Sequence, residues 1–478
     1  MVRAPLILVA LLALAVPAPA AAFSKADLTI RMSDGVDIAA TYYVPDGAPP
    51  AAGRPAVMML HGLGESRTDG DNAVSVSLND MAETYIVPQG YTVLTFDARG
   101  HGASGGLVAI DGPREIADVK ELFAWLAARP GVDAAHIGAF GYSYGGGAIW
   151  RAAAEGVPFA AIEVATAWTD LYQALVPQSL ARSGVVLGFY TAVAARAAPE
   201  LEPIVRDALA GRNLAAVKAF ADARSSRQLL GSIRVPTFLM QGRRDFAFDL
   251  DQALTAYRRL TVPKRLYLTN LGHAPATKPR AEHDYMLPQA RLWFDRFLKG
   301  LPNGIDTRPP VELAADPWTG RITSYAGVPQ LRTLKTTFSR LPASIGARGK
   351  VARTWPVRLR KHETFGAPTV QLRLSSPNGW PHVVVVLSAL TPQRKEIVIS
   401  SGGARVRLTR RPKAVTVRLI SQVTAIPARS RLRLTIAATS TAQSAGNLLY
   451  LTGVPDSARL TVGSARLALP VLAKPVSR

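Results

Sequence analysis

Two sequence patterns divide this chain, and their order limits the folds open to it. Up to about residue 300, short apolar runs alternate with helix-spaced segments; beyond Arg308-Pro309-Pro310 only strand-like runs follow. Ala56–Leu60, Tyr91–Phe96, Ile137–Phe140, Phe159–Val164, Thr237–Met240 and Arg265–Leu268 have the length and apolarity of strands buried on both faces. Pro113 to Ala128 places Ile116, Val119, Leu122, Phe123 and Leu126 at helical spacing, with Pro113 suited to a first turn. Strands alternating with helices imply a parallel sheet covered on both sides. A hairpin about Ser33-Asp34-Gly35 precedes the series, and a helix from about Met286 to Leu298 closes it. Residues 166–227 are Ala-rich, helical in pattern and free of strand signals, so they read as a helical lid inserted into the series.

The later runs, among them Val370–Leu374, His382–Leu387, Glu396–Ser400, Ala414–Leu419, Arg431–Ile436 and Leu448–Leu451, recur with turn signals and without helices. That predicts an all-β sandwich or jelly roll. At 478 residues the chain is long enough for two domains. The expected divisions are 1–22, 23–307 and 308–478. The first reads as a cleavable export signal: Arg3, an apolar stretch Pro5–Val16, then A-x-A patterns at Ala18–Ala20 and Ala20–Ala22. The expectation is therefore a secreted protein with no membrane span in its mature part.

Cysteine is absent, which excludes disulfides, thiolate metal sites and a cysteine nucleophile. Seven scattered histidines form no H-x-x-x-H spacing, so neither a metal nor a cofactor is expected. The net charge of +22 is uneven: Val311 to Arg478 holds 26 Lys/Arg against 5 Asp/Glu. Residues 311–478 therefore read either as a basic surface for anionic cell-envelope polymers or lipids, or as plain solubility. An exported chain without a nucleic-acid motif argues against nucleic acid as partner.

Gly141-Tyr142-Ser143-Tyr144-Gly145 matches G-x-S-x-G between a strand run and a helical run, the setting in which a strained turn presents a serine as nucleophile. His61-Gly62-Leu63-Gly64 follows the first core strand, where a sharp bend aims a backbone N–H at a substrate oxyanion; the amides of Leu63 and Tyr144 are assigned that role, and His61 a structural one. Asp97 precedes the serine, and the chain order expected of such a site is serine, acid, histidine; Asp97 and Arg99 are read as fixing loops. Asp245 follows the run ending at Met240 and His273 follows the one ending at Leu268, so these are the expected acid and base. Asp249 and Asp251 read as helix-start residues, and His283 as a weaker base.

In this order the motifs resemble the α/β-hydrolase superfamily, and more closely the X-Pro dipeptidyl-peptidase (peptidase S15) and cocaine-esterase-like group. Ser143–Gly146, Ala167–Leu171, Trp293–Gly300, Thr364–Gly366 and Ile426–Leu434 carry the closer likeness. The resemblance implies an α/β-hydrolase fold with a helical lid, a C-terminal β-domain, and hydrolysis of a small-molecule ester or peptide through an acyl-enzyme. One departure stands out. That group places an oxyanion-hole tyrosine after the first core strand, where this chain has His61-Gly62-Leu63, closer to ordinary esterases and lipases. A dipeptidyl peptidase must also hold a free amine; Glu163 and Asp170, with Trp168 beside them, are the candidates for substrate contacts. The lid stretch Val185–Tyr190 offers either an acyl-chain wall, as in a lipid or envelope esterase, or simple packing.

Overall fold

The computed structural model describes residues 23–69, 77–270, 272–273, 280–338, 341, 343–440 and 449–473. The expected export segment, 1–22, lies outside them. The first body is built on β1 (Phe23–Arg31), β2 (Asp37–Pro45), β3 (Arg54–Leu60), β4 (Thr92–Phe96), β5 (Val132–Tyr142), β6 (Ala161–Ala165), β7 (Thr237–Gly242), β8 (Lys264–Thr269), β9 (Val311–Ala314) and β10 (Ile322–Tyr325). Among the described residues these form one ten-stranded sheet in the order β1-β2-β4-β3-β5-β6-β7-β8-β9-β10. The strands from β4 through β9 in that order are parallel, and antiparallel strands finish both edges.

The two-residue period of each strand sorts its side chains between two cores. Ala56, Met58 and Leu60 of β3 face α2 (Pro113–Ala127), α3 (Tyr144–Ala154) and α8 (Leu250–Arg259). Val57 and Met59 face the opposite side, with Leu78 of α1 (Leu78–Met81) and Trp293, Phe294 and Leu298 of α9 (Arg280–Leu298). The helix α9 begins well before Met286 and runs through Pro288, so the proline does not mark its start. The lid comprises α4 (Leu171–Leu175), α5 (Ser183–Val193), α6 (Leu201–Ala210) and α7 (Leu214–Asp222).

The expected division at 307/308 falls inside the sheet. After α9 crosses over, β9 pairs in parallel with β8 (Leu266 opposite Val311), and β10 folds back upon it. All four residues of β9 are buried, and Glu312 ion-pairs with the buried Arg265 of β8 at 2.9 Å. Pro309 and Pro310 lie in the irregular segment between α9 and β9, within the first domain. The β-domain itself begins near Leu331.

That domain is a two-sheet sandwich. Strands 331–338, 459–472, 369–375 and 413–418 form one sheet, with 343–346 also on 459–472; strands 350–354, 431–437, 382–390 and 396–405 form the other. Every pairing is antiparallel, and Val370, Leu372 and Leu374 share a core with Val383, Val385, Leu387 and Leu434. Leu449–Leu451, read as part of a strand, is instead irregular. Its backbone is held by the lid: Gly184 N–H donates to Leu449 O at 3.0 Å and Leu451 N–H to Ser183 Oγ at 2.7 Å. No helix among the described residues is long and apolar enough to cross a membrane.

Candidate active site

The site is organised by the end of β5. Ser143 follows it at φ 53°, ψ −116°, a left-handed conformation costly for a residue with a Cβ, and α3 starts at the next residue. Glycines make room for this bend. A Cβ on Gly141 would lie 2.6 Å from Gly145 O, and one on Gly145 would lie 2.5 Å from Leu60 O. Two backbone bonds fix the turn to its neighbours: Ser143 N–H donates to Ala165 O and Gly145 N–H to His61 O, each at 2.9 Å.

The structure brings together the three side chains that the sequence separates widely. His273 Nε2 lies 3.0 Å from Ser143 Oγ, and Nδ1 lies 2.7 Å from Asp245 Oδ2. A carboxylate only accepts, so Nδ1 carries the hydrogen and Nε2 is left to accept from the serine hydroxyl. Asp245 is fully buried; its Oδ1 accepts Ala247 N–H and Phe248 N–H, each at 2.9 Å, and Oδ2 also accepts from Gln241 Nε2 at 3.2 Å. The His273 and Phe248 rings pack nearly perpendicular at a centroid distance of 4.9 Å, which limits the imidazole's freedom.

The loop bearing Asp245 is held from outside its own domain. Val423 N–H donates to Arg243 O at 2.7 Å, and Gln422 Nε2 to Arg244 O at 3.1 Å. Ser421 N–H donates to Asp249 Oδ2 at 2.8 Å, while Leu250 N–H donates to Ser421 O at 3.0 Å. Asp249 therefore sits at the N-cap position of α8 without capping it by its side chain, and serves the β-domain instead. Burial, then the nearby Asp251, pushes its carboxyl up from the ordinary carboxylate range. Asp251 itself pairs with Arg418. Asp97 accepts from Arg67 N, Arg67 Nη1 and Ala103 N, so it fixes loops. His283 lies buried on α9.

Ser143, Leu63 and Tyr144 open together onto a cavity of about 820 Å³ counted with its mouth. The backbone N–H groups of Leu63 and Tyr144 have no acceptor among the described residues. The lid supplies most of the wall: Leu171, Val186, Phe189, Val205 and Val217, with Trp168 and Phe248 beside them. Of the stretch Val185–Tyr190, Val186, Phe189 and Tyr190 line the cavity, whereas Val185 packs inward and Leu187 is exposed. Among the described residues, no Asp, Glu, Lys or Arg lines it. Sequence reading missed Phe248 and the α7 wall, although Val217, Phe220 and Ala221 recur at helical spacing.

The proposed substrate contacts divide. Trp168 stays at the wall, its Nε1–H donating to Arg224 O at 2.8 Å. Asp170 caps α4, accepting Gln173 N–H at 2.9 Å, and pairs with Arg227 at 3.0 Å. Glu163 lies in mid-sheet on β6, between Phe140 and Phe238, fully buried and without a hydrogen-bond partner among the described residues. Neither acid reaches the cavity, because one has become a cap and the other points into the sheet's core. Burial raises the Glu163 carboxyl well above its ordinary 4.5, favouring its protonated form. The folded chain thus keeps a proton that the unfolded chain releases. Stability falls as pH climbs above 4.5 toward the folded-state pKa, by about 1.4 kcal/mol per pH unit. Replacing Glu163 with Met removes that slope. Melting at pH 5 and pH 8 should show the variant more stable, chiefly at pH 8; equal midpoints at both would refute this account.

The model of the X-Pro dipeptidyl-peptidase (S15 family) matches residues 34–275, half of the chain, and ends just past His273. The chain belongs to the S15 family. A Bacillus anthracis relative assigned as an Xaa-Pro dipeptidyl-peptidase is 26% identical over 259 residues, which cover 48% of this chain and 42% of that protein. The aligned part thus spans less than half of that relative's own length. Among solved structures, a CocE/NonD family hydrolase from Staphylococcus aureus superposes with a TM-score of 0.74 at 14% identity, covering 94% of each chain. An α-amino acid ester hydrolase gives 0.68 at 13% identity, over 95% of this chain and 97% of its own. At such identities the likeness is one of fold, and it extends over both domains of this S15 hydrolase, including the β-domain beyond the family match.

Proposed function

We propose that this S15-family chain is an exported serine hydrolase using Ser143, His273 and Asp245, with esters of apolar acyl groups preferred over X-Pro peptides. The hydrogen-bonded chain from Asp245 through His273 to Ser143, opening on an apolar cavity, carries this reading. An N-terminal amine brought to that wall would lose its hydration without gaining a carboxylate. An acyl chain loses nothing comparable; its burial there contributes about 25 cal/mol per Å².

In the reaction, His273 Nε2 takes the hydroxyl proton as Ser143 Oγ bonds to the acyl carbon. Negative charge moves to the carbonyl oxygen, where the Leu63 and Tyr144 amides receive it. As the bond to the leaving oxygen breaks, the imidazolium returns its proton to the departing alcohol. Water, activated by the same imidazole, then releases the acid. Asp245 stabilises the imidazolium at each stage.

A fluorophosphonate probe should label the wild type and leave Ser143→Ala unlabelled; equal labelling of both would remove Ser143 as nucleophile. With labelling established, p-nitrophenyl esters of increasing chain length are compared with X-Pro p-nitroanilides. Higher kcat/KM on the anilides would replace the ester preference with the dipeptidyl-peptidase activity of the family's name.

A further inference from the structure

The two variable positions of Gly141-x-Ser143-x-Gly145 are both tyrosines, and each hydroxyl donates to a carboxylate. Tyr144 Oη reaches Glu115 Oε1 at 2.6 Å, and Tyr142 Oη makes a short bond to Glu65 Oε2. The acids differ in what else they hold. Glu115 accepts Ala109 N–H at 2.9 Å and also Gly112 N–H, so it secures the loop before α2. Glu65 holds the turn that carries Leu63. Its Oε2, the same atom that takes the Tyr142 hydroxyl, accepts Gly62 N–H at 3.1 Å.

The Leu63 N–H belongs to the peptide unit whose carbonyl is Gly62 O. In a planar trans peptide the two groups point in opposite directions, so whatever fixes the carbonyl aims the amide. Gly62 O is gripped twice: His61 Nδ1 lies 2.7 Å away and Glu65 N–H donates at 3.3 Å. His61 Nε2 accepts Ala98 N–H at 2.9 Å, which leaves the hydrogen on Nδ1 to donate. Packing is close as well. A Cβ on Gly62 would lie 2.9 Å from Glu65 Oε2 and 3.0 Å from Tyr142 Cε2.

We propose that Glu65 is a positioning residue for the oxyanion hole. Through one carboxylate oxygen it ties the Gly62–Leu63 turn to the residue before the nucleophile, and so sets the spacing between the Leu63 amide and Ser143 Oγ. This rests on the serine-hydrolase reading above. It gives the Tyr142 hydroxyl a task and places the control of the hole in a side chain outside the cavity lining.

The test uses Glu65→Ala, Glu65→Gln, Tyr142→Phe and the Glu65→Ala/Tyr142→Phe double variant of the full chain. Each is assayed for kcat and KM on a p-nitrophenyl ester and for inhibition by phenylboronic acid, whose serine adduct occupies the hole. Loss of a whole oxyanion donor costs about 10²–10³ in rate, so a misaimed one should lower kcat by roughly 10-fold or more in Glu65→Ala. KM should stay nearly constant, and the boronate inhibition constant should rise along with the loss in kcat. Glu65→Gln keeps an oxygen able to accept both bonds and should restore most of kcat. The double variant should fall no further than Glu65→Ala alone. A Glu65→Ala protein with wild-type kcat and boronate affinity overturns the proposal, and so does a Gln variant as impaired as Ala. Should the Ala variant not fold, Tyr142→Phe and Glu65→Gln decide the matter: a kcat loss in Phe with rescue in Gln supports it, and wild-type kcat in Phe overturns it. Retained activity in Ser143→Ala would instead strike the underlying reading, so the two failures are distinguishable.

Discussion

Asp245→Asn should lower kcat by about 10⁴ while leaving the fold intact. The surroundings dictate how the amide would sit. The Ala247 and Phe248 N–H groups both point at Oδ1 and require an acceptor there. The Asn oxygen must take that place, which puts its NH₂ where Oδ2 now meets His273 Nδ1 and Gln241 Nε2. Two donors would then confront the imidazole's Nδ1–H, and the ring would move its hydrogen to Nε2. That nitrogen faces Ser143 Oγ at 3.0 Å and could no longer accept the serine proton. Steady-state kinetics on an activated ester, with thermal unfolding as control, measures the effect. A loss under about 10-fold would show that Asp245 does not set the imidazole tautomer.

Glu312→Ala should cost about 3–5 kcal/mol of stability, the scale for stranding one partner of a buried ion pair. Arg265 and Glu312 have only 3% and 7% of their side chains exposed. Their 2.9 Å approach is an ion pair rather than a well-directed hydrogen bond, since Glu312 Oε2 has no partner of good geometry among the described residues. Arg265 keeps one bond, to Ile305 O at 2.9 Å, which does not neutralise its charge. Urea unfolding reads the loss directly. Replacing the pair with Met and Leu should recover much of it, because both positions are buried and neither new side chain carries a charge to desolvate. A cost below about 1 kcal/mol would mean that β9 contributes little to the sheet, contrary to the extension of the first domain past residue 307.

How legible the molecule is in its sequence follows from how local each cause is. The strands from β3 to β8 each contain a short, mostly apolar run, and the strained serine turn needs its glycines within five residues; both are visible without a fold. Asp245 and His273 were reachable because each directly follows such a run. The long central strand 459–472 escaped because Gly463 and Pro470 interrupt it; the proline lies near its end, and the strand irregularity at Arg373/Leu374 lies beside Gly463. The β9–β10 extension escaped for a related reason, as four residues after two prolines give too short a signal. Glu163 and Asp170 were chosen by position along the chain, but which way a strand residue points and whether an acid caps a helix depend on packing. The lid wall is likewise tertiary: it exists only where α4 to α7 converge.

The family match stops at residue 275, yet Ser421, Gln422 and Val423 grip the segment from Arg243 to Leu250. The acid therefore takes its position from two regions of chain that are translated more than 170 residues apart. Exchanging the C-terminal module between relatives would transmit to the Asp245 loop through these few hydrogen bonds, so the sandwich acts as a wall of the hydrolase rather than an appendage.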